Sequence, residues 1–428
     1  MSVGLRLVGQ AAKRGVTHRI PAPDALVTDI EAWLRTEAED EIDRLVRETS
    51  EAEPGFRVSL HPAAHDVQIR VAEGGLVTAT ATTAEVGPGY HTYLCHLLRR
   101  LGTELSIAWL PSSREDGIGD QTGSFESGRR ADAERVLLGW LGETLQRACT
   151  ARSRGVGQVH LVGAGDRYEF DGAIATALGP RSDAWLASAV ADPRIAVDIL
   201  PWWADATDAR YLLNRALCLM WTDVRWRPPV DQAERALLER VLRMLRRAFP
   251  LDPSLPYPWR EWKELLDLSA SDADDPMVER VGAEAATAAD EPLVGYRRRP
   301  MTVVHNGWSL VVPGSAVIRR TPDELWIGEG DRAITVAATE TASESGPLSP
   351  EAFLTHVGGH LGTDVLRHRD GPIAGIARLE VDPSSAVSVA VLDGYSAITG
   401  SGAAIRIVIH DPGDWEWAIE TWRSLRPI

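Results

Sequence analysis

The spacing of apolar positions changes repeatedly along the first 130 residues. From Asp24 to Thr49, Leu26, Ile30, Trp33, Leu34, Ile42 and Leu45 recur near helical spacing among Asp and Glu, which predicts one acidic amphipathic helix. The period then falls to two over residues 56–60, 67–71 and 76–81. Val, Ile and Thr alternate there around Glu73-Gly74-Gly75, the pattern of a hairpin. After Gly87-Pro88-Gly89 the pattern is helical through Tyr90, Leu94, Leu97, Leu98 and Leu101, and residues 106–110 read as a returning strand. The expected product is an antiparallel sheet covered by one or two helices, an α+β unit. The polar stretch from Pro111 to Gly128, interrupted by four glycines, reads as a mobile loop.

Helical periodicity dominates the middle of the chain. Arg130 to Arg152 carries Val136, Leu137, Trp140, Leu141, Leu145 and Ala148 on one face, and further helices are predicted over residues 183–191, 205–221, 231–249 and 259–268. Asp231 with Glu234 three residues on is a capping-box arrangement for the fourth of these five. Residues 264–291 hold nine acidic residues against the single Arg280 and few large apolar groups, the composition of a linker or a loosely packed helix. The predicted organisation is therefore α+β and multidomain. Residues 1–128 form an N-terminal antiparallel sheet with helices, 129–268 a helical Trp-rich region, 269–299 an acidic linker and 300–428 a C-terminal domain.

Beyond Arg297-Arg298-Arg299-Pro300 the texture turns β-rich. Eight short strands are predicted over 302–304, 309–312, 316–319, 324–327, 333–338, 375–381, 388–393 and 395–409. Helices are predicted over 350–361 and 414–425, the second with Asp411 and Asp414 as capping candidates and Trp415, Ile419 and Trp422 on its buried face. With the phrase Trp308-Ser309-Leu310-Val311-Val312-Pro313 closing an early strand and a Trp-bearing helix at the end, this segment resembles the Mog1/PsbP-like α/β/α sandwich family. The resemblance covers about the last 130 residues. It implies a binding or accessory module without catalytic residues, and it carries over no functional residue.

Composition narrows the partners. The chain has 45 basic and 61 acidic residues, a net charge of −16, which opposes a phosphate backbone and makes nucleic acid a poor partner. No apolar run approaches the roughly 20 residues of a spanning helix, and the charged N-terminus does not read as a secretory signal, so a cytoplasmic location is expected. Abundant Ala, Arg and Gly with little Lys points to a GC-rich bacterial gene. Cys95, Cys149 and Cys218 are far apart within helical patterns and read as inert core thiols.

Motifs for chemistry are weak. His356-Val357-Gly358-Gly359-His360 sets two imidazoles at i and i+4 with His368 nearby, a candidate metal cluster, but Val357 stands where a zinc protease needs Glu and the glycines weaken the helix. Cys95 beside His96 raises the question of a thiolate nucleophile, yet adjacent helical residues point about 100° apart. Gly155-Val156-Gly157 and Gly163-Ala164-Gly165 lack the third glycine of a dinucleotide fingerprint, and no P-loop is present. No cofactor is therefore expected.

The strongest signal is aromatic. Six of the fifteen tryptophans, Trp202, Trp203, Trp221, Trp226, Trp259 and Trp262, fall between Pro201 and Trp262. One reading places them between helices as core filling. The other makes Trp202, Trp203, Trp226 and Trp259, with Arg225, Arg227 and Arg260, hot spots of a protein-binding surface. The expected function is that of a non-enzymatic bacterial adaptor or accessory protein whose partners are encoded nearby. The alternative is an enzyme or sensor that binds a nucleotide or metal at a site assembled from distant residues.

Overall fold

The computed structural model describes residues 3–13, 20–48, 53–113, 115–156, 159–161, 167–168, 174–204, 207–270, 275–288, 293–343, 346–382 and 389–428. The chain divides into two compact units. The first comprises Met1–Ala164, Phe170–Val224 and Pro228–Gly295, and the second Gly165–Glu169, Arg225–Arg227 and Tyr296–Ile428. Both mix helix and strand, and no helix among the described residues is long and apolar enough to cross a membrane.

The first unit opens with strand β1 (Gly4–Ala11), helix α1 (Pro23–Glu37) and strands β2 (Arg44–Glu48), β3 (Gly55–Ser59), β4 (Val67–Ala72) and β5 (Leu76–Thr82). Helix α2 (Pro88–Glu104), β6 (Ile107–Trp109) and β7 (Gly119–Asp120) follow. The sheet runs in the order β2-β3-β4-β5-β1-β6, and β7 also pairs with β1. All its pairings are antiparallel. Strict alternation along β4 buries Val67, Ile69 and Val71 while Gln68 and Arg70 face water, as expected of a half-buried strand. The predicted β4–β5 hairpin is present, turning through Glu73–Gly75 with Gly74 and Gly75 at positive φ.

Two expectations for this region are corrected. The helix predicted over residues 24–49 ends at Glu37, and residues 44–48 form β2, paired with β3. The turn after Glu37 is anchored through its backbone, because the carbonyls of Asp40 and Glu41, together with the carboxylate of Asp43, accept hydrogen bonds from the buried Arg215 while the Asp40 side chain stays exposed. The stretch from Pro111 to Gly128, predicted as a mobile loop, contains β7 and the short helix α3 (Ser124–Ser127), organised around the buried Asp120.

Helix α4 (Arg130–Ser153) buries Ala133, Leu137, Leu141, Leu145 and Ala148. Then come α5 (Asp183–Ala191), α6 (Ala209–Thr222), α7 (Gln232–Leu251), α8 (Trp259–Leu268) and α9 (Pro276–Thr287). Asp231 caps α7 by accepting from the Glu234 amide at 2.9 Å, while the Glu234 carboxylate accepts from the Val230 amide, one residue earlier than the predicted box requires. Within the acidic 269–299 segment, α9 is capped by Asp275 and buries Val281.

In the second unit an antiparallel seven-stranded sheet takes its strands in the order 317–320, 325–329, 332–340, 401–409, 389–398, 373–382 and 366–370. Strands 301–305 and 308–312 form a second sheet with 167–168 and 426–427. The strand predicted over 395–409 is two strands joined by a tight turn at Gly400, whose φ is 81°. Helix α10 (Pro350–Val357) is capped by Ser349, and α11 (Trp415–Arg423) buries Trp422. Trp415, predicted on the buried face of α11, is 39% exposed. Asp414 stands at the N-cap position of α11, as expected, but neither its side chain nor that of Asp411 makes a capping bond to the helix. The Asp414 carboxylate receives Arg332, and that of Asp411 accepts from the Gly413 amide.

Candidate functional site

Gly87-Pro88-Gly89 launches α2 and lets another segment cross its first turn. A Cβ on Gly89 would lie 2.1 Å from the Ala204 carbonyl oxygen and 2.5 Å from Trp202 Cδ1, and one on Gly87 would lie 2.7 Å from the Trp202 carbonyl oxygen. Only glycine permits this approach. The Trp202 amide donates to the Val86 carbonyl at 2.9 Å, and the Gly89 amide donates to the Trp202 carbonyl at 3.1 Å. The flanking carbonyls of Pro201 and Trp203 accept from Asn214 and Arg130.

Trp202 thereby becomes the hub of a buried aromatic floor. It is 1% exposed, and its ring centre lies 4.2 Å from Tyr211, 5.1 Å from Tyr93 and 6.0 Å from Tyr90. Behind it His61 is buried, with Nδ1 accepting from the Ala63 amide. Burial and the nearby Arg215 hold the His61 imidazole well below its usual range. The unfolded chain protonates this ring below about pH 6.5 and the folded chain does not, so its contribution to stability falls as pH drops through 6.5. The slope approaches about 1.4 kcal/mol per pH unit until the folded ring titrates. Urea unfolding of wild type and His61→Asn at pH 7.5, 6.5 and 5.5 checks this. The variant should lose that part of the pH dependence, and parallel curves would refute the assignment.

Above the floor opens a groove of about 960 Å³. Thr92 and His96 of α2 line one wall, and Asp208, Arg210, Leu251 and Asp252 contribute from the ends of α6 and α7. The Asp208 carboxylate is engaged as the α6 cap, and that of Asp252 accepts from the Ser254 amide and hydroxyl, which holds Asp252 below the usual carboxylate range. Arg210 and His96 are exposed, and Leu251 is 64% exposed. A smaller cavity of about 270 Å³ shares Trp202, Asp208 and Arg210 and is lined also by Trp203.

The other expected hot spots lie elsewhere. Trp259 is half-buried and stacked on Trp262, with ring centres 5.4 Å apart, beside Phe249 and Tyr257; Arg260 is half-buried next to it. Arg225, Trp226 and Arg227 belong to the second unit. There Arg225 donates to the Ala316 carbonyl, Arg227 donates to the Ser315 carbonyl, and the Arg298 guanidinium sits 3.8 Å from the Trp226 ring centre. The structure thus places Trp202 and Trp203 at the groove and its side cavity, and the remaining five in packing or hydrogen-bonding positions of their own units. The weak metal candidates do not assemble. Gly358 ends α10, His356 and His360 are exposed on separate turns, and His368 on strand 366–370 sets its ring edge-on to Trp422. The Gly163-Ala164-Gly165 turn lies outside the described residues.

A second constellation escaped the sequence reading. His91 and Cys95, at i and i+4 on α2, face Asp120 of β7, and one ligand atom of each lies within 4.8 Å of the other two. His91 Nε2 is 3.1 Å from Asp120 Oδ1 and 3.0 Å from Thr122 Oγ1, and Nδ1 is 2.7 Å from Thr83 Oγ1. Asp120 also accepts from the amides of Thr122 and Phe125 and the hydroxyls of Thr122 and Ser124. Burial raises the Asp120 pKa, but the bond and charge of His91 together with those amides outweigh it and hold the carboxyl well below its usual range. Burial, reinforced by Asp120, pushes the Cys95 thiol up to about 12. The signal present in the sequence is the His-x3-Cys spacing, which sets His91 and Cys95 on one face of α2, whereas the adjacent His96 is exposed.

No family model matches the chain, and no curated protein does. Among solved structures, one from Bacteroides thetaiotaomicron is similar at 8% identity, covering 28% of this chain and 45% of that one, with a TM-score of 0.23. The chain thus spans under half the length of that structure.

Proposed function

We propose that the protein is a non-enzymatic adaptor or accessory protein of the bacterial cytoplasm that holds a segment of a partner protein in the groove of its first unit. The observation that carries this reading is the groove itself, an open concavity of about 960 Å³ over a closely packed aromatic floor. Its rim offers an exposed apolar side chain, Leu251, near the cationic Arg210. Asp208 and Asp252 stay anionic but are held by local amides, and Arg210, whose charge helps keep Asp252 ionised, is the arginine of the groove lining through which an incoming carboxylate would be met. A peptide that seats an apolar side chain and carries a nearby carboxylate suits that surface. The second unit, with its antiparallel sheet and closing Trp-bearing helix, fits an accessory role of the Mog1/PsbP-like kind.

Selection of a random displayed-peptide library on the full chain tests the reading. Enriched sequences should pair Asp or Glu with a large apolar residue. Their binding should disappear on Thr207→Trp, which fills the groove from an exposed position. Failure to enrich any sequence, or binding that survives Thr207→Trp, would count against it.

A further inference from the structure

We infer that His91, Cys95 and Asp120 form a buried structural site for a divalent metal ion of the zinc class, clamping the 119–128 segment onto α2. Three different ligand types converge from two elements, with donor atoms within 4.8 Å of one another, a span an ion can bridge at the usual bond lengths of about 2.0–2.3 Å. A mixed nitrogen, sulfur and oxygen set suits zinc better than the hard, oxygen-seeking magnesium or calcium. Charge also balances: a thiolate and a carboxylate neutralise a dication, which lowers the cost of burying all three.

The surroundings supply what such a site requires of its second layer. Thr83 Oγ1 lies 2.7 Å from His91 Nδ1 and 3.5 Å from the Val3 carbonyl. A proton on Nδ1 donated to Thr83, whose hydroxyl then points to Val3, leaves the Nε2 lone pair free to ligate. Asp120 is oriented by the Thr122 and Phe125 amides, each at 2.8 Å. The Ser124 hydroxyl, 3.7 Å from Cys95 Sγ and 3.2 Å from Asp120 Oδ2, stands beside the fourth position. Binding forms metal bonds to Nε2, Sγ and a carboxylate oxygen; the imidazole keeps its proton on Nδ1, and the thiol proton together with any proton held on Nε2 is released to solvent. No redox change is involved.

Cobalt(II) provides the test on the full-length chain, stripped with chelator and then titrated. One equivalent should produce a thiolate-to-cobalt charge-transfer absorption, and zinc should displace it and raise the melting temperature by on the order of 2–5 °C. The band should vanish in Cys95→Ala and persist in Cys149→Ala, whose thiol lies outside the cluster. Should Cys95→Ala fail to fold, Cys95→Ser takes its place, and the band should be absent there too. A wild-type protein that shows neither the band nor a zinc-dependent melting shift overturns the site, as does a band that survives in folded Cys95→Ala.

Discussion

Replacing Arg215 by alanine is expected to lower the stability of the first unit by about 3–5 kcal/mol, the penalty typical of breaking a buried ion pair from one side. The side chain is 3% exposed and lies on α6. Its guanidinium donates to the Asp40 and Glu41 carbonyls, to Asp43 Oδ1 at 2.8 Å and to the Tyr211 hydroxyl at 2.9 Å. Burial opposes its charge, and Asp43 with Tyr211 more than restores it, so its pKa stays above the usual value. Without it, the turn that ends α1 loses donors to two carbonyls. Among the described residues the Asp43 carboxylate then keeps only Arg240, at 2.6 Å. Arg215→Lys should recover only part of the loss, because an ammonium cannot reproduce the planar fork. Urea unfolding monitored by circular dichroism measures both variants; a change below about 1 kcal/mol for Arg215→Ala would contradict the anchor assigned to it.

Trp202→Ala is the second large effect, at about 3–5 kcal/mol, since it removes a fully buried indole from among His61, Tyr90, Tyr93 and Tyr211. Trp202→Phe should cost much less, roughly 1–2 kcal/mol, because the indole Nε1 has no hydrogen-bond partner among the described residues and most of the ring contact survives. The contrast separates a packing role from a hydrogen-bonding one and is read from the same unfolding curves. Similar costs for the two substitutions would mean that the indole N–H matters more than the ring. Trp202 supports the groove from below. Its truncation therefore cannot serve as a test of binding, whereas substitutions at the exposed Arg210 and Thr207 can.

Local periodicity revealed most elements of this chain but not the buried polar contacts that fix them. Strand β4 and helix α8 were readable because one face of each is apolar, and α8 begins at the predicted Trp259. The end of α1 was not readable, because Asp40, Glu41 and Asp43 look like solvated charges until Arg215, more than 170 positions away, is placed against them. The 111–128 segment looked loose for the same reason: Asp120 organises it by accepting amides and hydroxyls that composition counts as loop polarity. The clustered tryptophans were visible, yet their division was not. Trp202 serves the floor of one unit, while Trp226 is held under Arg298 in the other.

The affinity of a library-selected acidic, apolar peptide for wild type and Arg210→Glu, measured by calorimetry at low and moderate salt, tests the groove most directly. Arg210 is exposed and takes no part in the aromatic floor, so the variant should fold as wild type does. Binding should be at least about tenfold weaker in the variant, equivalent to roughly 1.4 kcal/mol, with a smaller salt dependence. Equal affinity and equal salt dependence in the two proteins would contradict it.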